Sequence, residues 1–105
     1  MESKLREAKR ILDSNTWTKH VYFNVAHTHF CLVGALAEVT EGGVVAVESH
    51  ECEDYRHIAE VIAEQYPERA GRFGDIPTFN DHADTTRADI DLVLEKAIAK
   101  ADEIV

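Results

Sequence analysis

"IPTFNDHADTTRADIDLVL", residues 76–94, crowds Asn80, Asp81, His82 and Asp84 together directly ahead of a strongly periodic apolar segment. The periodic part decides the fold class. Ile90, Val93, Leu94, Ala97, Ile98, Ala101 and Ile104 recur at steps of three and one, which sets them on one stripe of a helix about five turns long. Thr86 and Asp89 stand at capping-box spacing ahead of it. The hydroxyl is available to the N3 amide, and the carboxylate lies at the positive end of the helix dipole. The crowded part supports two readings. Asn and Asp side chains capture backbone amides in tight turns, so Asn80 and Asp81 would close a turn while Ile76, Pro77 and Phe79 dock the loop on the core. Alternatively, Asp81, His82 and Asp84 would supply oxygen and nitrogen ligands or an acid–base pair.

Working outward, Gly42-Gly43, Pro67, Gly71, Gly74 and Pro77 punctuate the chain. From Glu2 to about Ser14, Leu5, Ala8, Ile11 and Leu12 fall on one helical face with charged residues around the rest,. Trp17, the lone tryptophan, is expected to anchor the core where the chain crosses it. Val21, Phe23 and Val25 alternate with Tyr22 and Asn24 as a short extended segment would. Cys31, Leu32, Ala35, Leu36 and Val39 return to helical spacing, and Gly34-Ala35 offers a small-residue surface for the close approach of another helix. Val44, Val45 and Val47 form a β-branched patch that would pair with residues 21–25. From about Glu51 to Tyr66, the residues Tyr55, Ile58, Ala59, Ile62 and Tyr66 make a third helical stripe, which Pro67 ends. The segment up to Ile76 and Pro77 reads as a loop. The expected architecture is mainly α: a single small domain over residues 1–105, with about four helices and a minor two-stranded ribbon. The first, second and last helices share its core.

Composition bounds the function. Of the 105 residues, 45% are apolar and 30% charged, with a formal net charge of −9, as in an ordinary soluble globular protein. Residues 1–50 carry six acids and five bases, whereas residues 51–105 carry fourteen acids and six bases. That acidic half argues against direct nucleic-acid binding, which uses a basic patch. No apolar stretch approaches the ~20 residues of a membrane span. The opening MESKLREAKRIL lacks the features of a signal peptide, so a cytoplasmic location is expected, with Cys31 and Cys52 as reduced thiols.

Two groups of residues could carry chemistry or contacts. His27, His29 and Cys31 would share one face of a strand as a zinc set, and His27 and His29 with Asp81 and His82 make a second candidate metal set. Against it, Cys31 also reads as a small core hydrophobe beside histidines at a helix start. The acids Glu53, Glu60 and Glu64, with Tyr55 and Tyr66 beside them, make a candidate interface. Walker loops, Gly-x-Gly-x-x-Gly, His-Glu-x-x-His, Gly-x-Ser-x-Gly and paired Cys-x-x-Cys are absent from the sequence,. No cofactor is expected.

Cys31-Leu32-Val33-Gly34-Ala35-Leu36 and Ile76-Pro77-Thr78-Phe79-Asn80-Asp81, together with an amphipathic first helix closing on Trp17, resemble a family of small uncharacterised domains from actinobacteria and their bacteriophages. Thr16 departs from that pattern, which has a glycine before the tryptophan. The resemblance assigns no activity. It implies structural roles for Trp17, Cys31, Gly34, Ala35, Asn80 and Asp81, to which the cap adds Thr86 and Asp89. It also implies a non-enzymatic phage accessory protein that binds a host protein and could inhibit host growth. The alternative is a metal-dependent enzyme or metal-binding protein using the His and Asp clusters, and the third reading is an acidic DNA mimic. Leu92 and Ala99, off the main stripe of the last helix, would serve a homo-oligomer.

Overall fold

The computed structural model describes residues 3–49, 52–69 and 75–103. Glu2, Glu51, Gly71, Gly74 and Ile104, each used above, lie outside them. The elements run α1 (Leu5–Ser14), β1 (Thr16–Trp17), β2 (His29–Phe30), α2 (Leu32–Glu38), α3 (Gly43–Val47), α4 (Glu53–Gln65), α5 (Ile76–Asp81) and α6 (Arg87–Glu103). The mainly α class is as expected. The helices share one buried apolar cluster, to which α1, α2, α4 and α6 contribute most of the residues.

α1 buries Leu5, Ala8 and Leu12, the face its spacing predicts. It runs antiparallel to α6. The Arg6 guanidinium meets Asp102 at 2.6 Å near one end, and Arg87 donates to the Leu12 carbonyl and to Asp13 at the other (2.8 and 2.7 Å). α6 buries Ile90, Val93, Leu94 and Ala97. Its predicted capping box is present: the Thr86 amide donates to Asp89 Oδ2 at 3.0 Å, and the Asp89 amide to Thr86 Oγ1 at 3.4 Å. Asp89 also accepts from Arg69 (2.8 Å) and Tyr66 (3.2 Å), which ties the start of α6 to the end of α4.

α2 is the centre of the molecule. Every residue from Leu32 to Ala37 is buried, as in a helix covered on all sides. The Cys31 sulfur caps it by accepting from the Gly34 amide at 3.2 Å. Outside its own helix, the backbone nearest the Cβ position of Gly34 is that of Tyr22. A Cβ there would lie 1.8 Å from the Tyr22 carbonyl oxygen, so the missing side chain makes room for a loop backbone. The Cys31 amide donating to the same carbonyl (3.0 Å) shows what the close approach achieves.

The ribbon also differs from expectation. β1 and β2 pair in parallel, with Thr16 opposite His29 and Trp17 opposite Phe30. Residues 21–25 form no strand; one antiparallel bridge joins Phe23 to Phe30. Their supposed partner is the helix α3. Gly42 and Gly43 take φ of +94° and +63°, conformations natural to glycine, and turn the chain directly into a helix that buries Val47. Packing thus overrides the β preference of the valines. Thr16 sits in the strand, and among the described residues the non-glycine ones of positive φ are His20 and His27, so no glycine is required before Trp17.

The expected turn at Asn80 and Asp81 is also a helix, α5. Asp75 caps it by accepting from the Thr78 amide at 3.3 Å, and Pro77 lies in its first turn, where its lack of an amide proton costs nothing. Among the described residues no helix is long and apolar enough to cross a membrane.

Gly34→Ala is expected to cost about 3 kcal/mol, at the upper end of overpacking penalties, read as a shift in the urea midpoint. Burial favours the protonated Asp89 carboxyl, yet the Thr86 amide, the Arg69 guanidinium and the Tyr66 hydroxyl outweigh it and hold the group below the usual range. This stabilisation is present above the unfolded value of ~3.9 and is lost as pH falls through the lower folded value. Asp89→Asn is expected to cost about 1 kcal/mol at neutral pH and to flatten the acid limb of a stability–pH curve.

Candidate functional site

Residues 18–28 leave the β1 strand, cross the outside of the molecule and return at β2. They are unusually well fastened for a loop. The side chain of Asn80, 0% exposed, uses both ends of its amide. Its Oδ1 accepts from the Trp17 indole (2.8 Å) and the Leu32 amide (3.0 Å), while its Nδ2 donates to the Thr18 carbonyl (3.1 Å) and to Asp81 Oδ1 (3.0 Å). Next along the chain, Lys19 donates to the His82 carbonyl at 2.6 Å and lies over the Trp17 ring. The His20 amide donates to Asp81 Oδ1 at 2.8 Å. Tyr22 is held through its carbonyl, and its hydroxyl donates to Glu48 at 2.7 Å. That bond to Glu48, followed by burial, pushes the Tyr22 phenol up to about 12.

The far arm closes on Asn24. Its Oδ1 accepts from the amides of Thr28 and His29 (2.8 and 3.0 Å), and its carbonyl from the amide of His27 (3.0 Å). This is the local side-chain turn for which asparagine is favoured. Asn24 was the legible sign that the alternation from Val21 to Val25 ends in a turn.

This scaffold turns apolar side chains outward. Val21, Tyr22, Phe23 and Val25 are all exposed, Val25 completely. Isolated exposed apolar residues are ordinary, but a contiguous group of them marks a contact surface. The Phe23 ring has lateral support from His27 at 4.5 Å and Phe30 at 6.3 Å between centroids.

The candidate metal residues are not brought together. His27 pairs with Glu38 at 2.9 Å. His29 shares hydrogen bonds with Asn24 and Thr28. Asp81 faces His20 and Asn80, and the His82 ring nitrogen accepts from the Asp84 amide at 3.1 Å. Among the described residues there is no group of three or more His, Cys, Asp or Glu side chains that could hold a metal ion. Cys31 and Cys52 are free thiols. Burial pushes the Cys31 thiol up, against the opposing amides of Gly34 and Val33, so the group is a neutral cap rather than a thiolate nucleophile.

The proposed interface acids and tyrosines have other neighbours. Glu60 and Glu64 flank Lys100 at 3.6 and 2.8 Å, and Glu53 lies 3.8 Å from Arg56. Tyr55 packs on the core, while Tyr66 rests against Phe79 and under Arg69. Leu92 and Ala99 are exposed. Beside Ala99, α4 and α6 form an open groove of about 260 Å³ bordered by Glu64, Lys96 and Lys100. His57 is a core residue missed in the sequence, although it precedes Val61 by one helical turn. It is buried, and its Nδ1 has no hydrogen-bond partner among the described residues.

The model of a family of unknown function, DUF6197, matches residues 2–100, and the chain belongs to that family. No curated protein and no solved structure matches it.

Asn80→Leu keeps the volume but strands the Trp17 indole, the Leu32 amide and the Thr18 carbonyl. With each unpaired group costing ~1–3 kcal/mol, a loss of about 3 kcal/mol or more is expected in chemical unfolding. A red shift of Trp17 fluorescence in the folded baseline would accompany it.

Proposed function

We propose that this protein is a non-enzymatic accessory protein that acts by binding another protein, and that the fastened loop of residues 18–28 is its docking face. One observation carries the reading: Val21, Tyr22, Phe23 and Val25 are exposed on a backbone pinned by Asn80, Asp81, the Cys31 amide and Asn24. A flexible loop would lose conformational entropy on binding, whereas a pre-ordered one has already met that cost in folding. Aromatic residues are enriched at the cores of protein interfaces.

The resemblance drawn from the Cys31–Leu36 and Ile76–Asp81 motifs supports a finer version. The protein is encoded by an actinobacteriophage, its partner is a protein of the host cytoplasm, and binding slows host growth. The carboxylates of Asp13, Asp89, Asp91 and Asp102 face arginines of the same chain, an arrangement that serves folding better than mimicry of a phosphate backbone.

The test is the triple variant Val21→Ser, Phe23→Ser, Val25→Ser. Burying such side chains stabilises a contact by ~1.5–3 kcal/mol each, so affinity for the host partner should fall about 100-fold or more while helical circular dichroism is retained. Expressed in an actinobacterial host, the wild type should slow growth and the triple variant should not. Retention of the same host partner by the triple variant would overturn the loop as the docking face.

A further inference from the structure

We infer that the partner surface fitting this loop is an apolar pocket bordered by carboxylates; the inference rests on the loop being the docking face. Its basis is the distribution of charge around the apolar group. The chain has 20 acidic residues, yet none lies between Asp13 and Glu38. The same stretch carries Lys19, His20, His27 and His29, three of the six histidines in the sequence.

Neighbouring elements do bring carboxylates to the loop, and each is engaged by it. Asp81 of α5 accepts from the His20 amide and the Asn80 side chain (2.8 and 3.0 Å). Glu38 of α2 is paired with His27 at 2.9 Å. Glu48, which follows α3, accepts from the Tyr22 hydroxyl at 2.7 Å. A partner with a basic rim would therefore compete with contacts that hold the loop in shape. A partner with an acidic rim meets the Lys19 ammonium, which has donors to spare beyond the one given to the His82 carbonyl,, and need not displace the Asp81, Glu38 or Glu48 carboxylates. Depletion of charge at the centre and complementarity at the rim are what a specific interface requires. The net charge of −9 opposes an acidic partner at long range, but exposed charges more than about 8 Å away are largely screened at physiological ionic strength.

Two synthetic peptides test this against the full chain by calorimetry. Both carry the same Leu-Phe-Leu anchor, flanked by Asp and Glu in one and by Lys and Arg in the other. The acid-flanked peptide is expected to bind at least 10-fold more tightly, and Lys19→Glu is expected to remove most of that preference. The serine triple variant should lose both peptides. Equal or tighter binding of the base-flanked peptide, or no binding of either, would overturn the inference while leaving the docking face to its own test. Undiminished binding of both peptides to the triple variant would instead sink the docking face itself. Sedimentation showing wild-type dimers that the triple variant does not form would make a second copy of the chain the occupant, and would also overturn the inference.

Discussion

The side-chain amide of Asn80 is the interaction on which the rest depends. Its hydrogen bonds join the indole of Trp17, the first amide of α2, the backbone of the outer loop and the neighbouring Asp81. A carboxamide accepts at one end and donates at the other without carrying charge. Aspartate could not donate to the Thr18 carbonyl, and an apolar residue would leave buried polar groups unpaired. The strand, the central helix, α5 and the loop are thereby set relative to one another by one residue at the end of a six-residue helix.

Around that node the helical frame and the outer loop divide the work. α1 and α6 are clasped at both ends by Arg6 with Asp102 and by Arg87 with Leu12 and Asp13, and the buried stripes of α4 and α6 contribute much of the core. Most of the paired acids lie in this frame. The outer loop carries no acids of its own and borrows Asp81, Glu38 and Glu48 from its neighbours. The acidic surface and the apolar surface are thus separate features with separate physical tasks.

Much of the frame was legible in the sequence because it follows from local rules. The α6 stripe and its cap at Thr86 and Asp89, the apolar face of α1 and the stripe of α4 depend only on spacing along one helix. What escaped depends on contacts between distant residues. Val44, Val45 and Val47 read as a strand until Gly42 and Gly43 are seen to turn them into a helix. The burial of Asn80 is fixed by partners 48 to 63 residues away, which no local pattern announces. The outward face of Val21 to Val25 follows from the contacts of Tyr22 and Asn24 with Cys31, Glu48, Thr28 and His29. Asp75 as cap and Pro77 in the first turn are the local signs of α5,.

The Asn80 node also bears on the order in which the molecule assembles. Its contacts to Trp17, Leu32 and the Thr18 carbonyl span 63, 48 and 62 residues of sequence. Non-local contacts of this kind close late, because the chain entropy between them must be surrendered first. Synthesis runs from the amino terminus, so the loop leaves the ribosome long before the asparagine that fixes it. A nascent chain that has not yet reached Asn80 can form the turn at Asn24, but it lacks the bonds that fasten Trp17, Thr18, Lys19 and His20 to the body of the molecule.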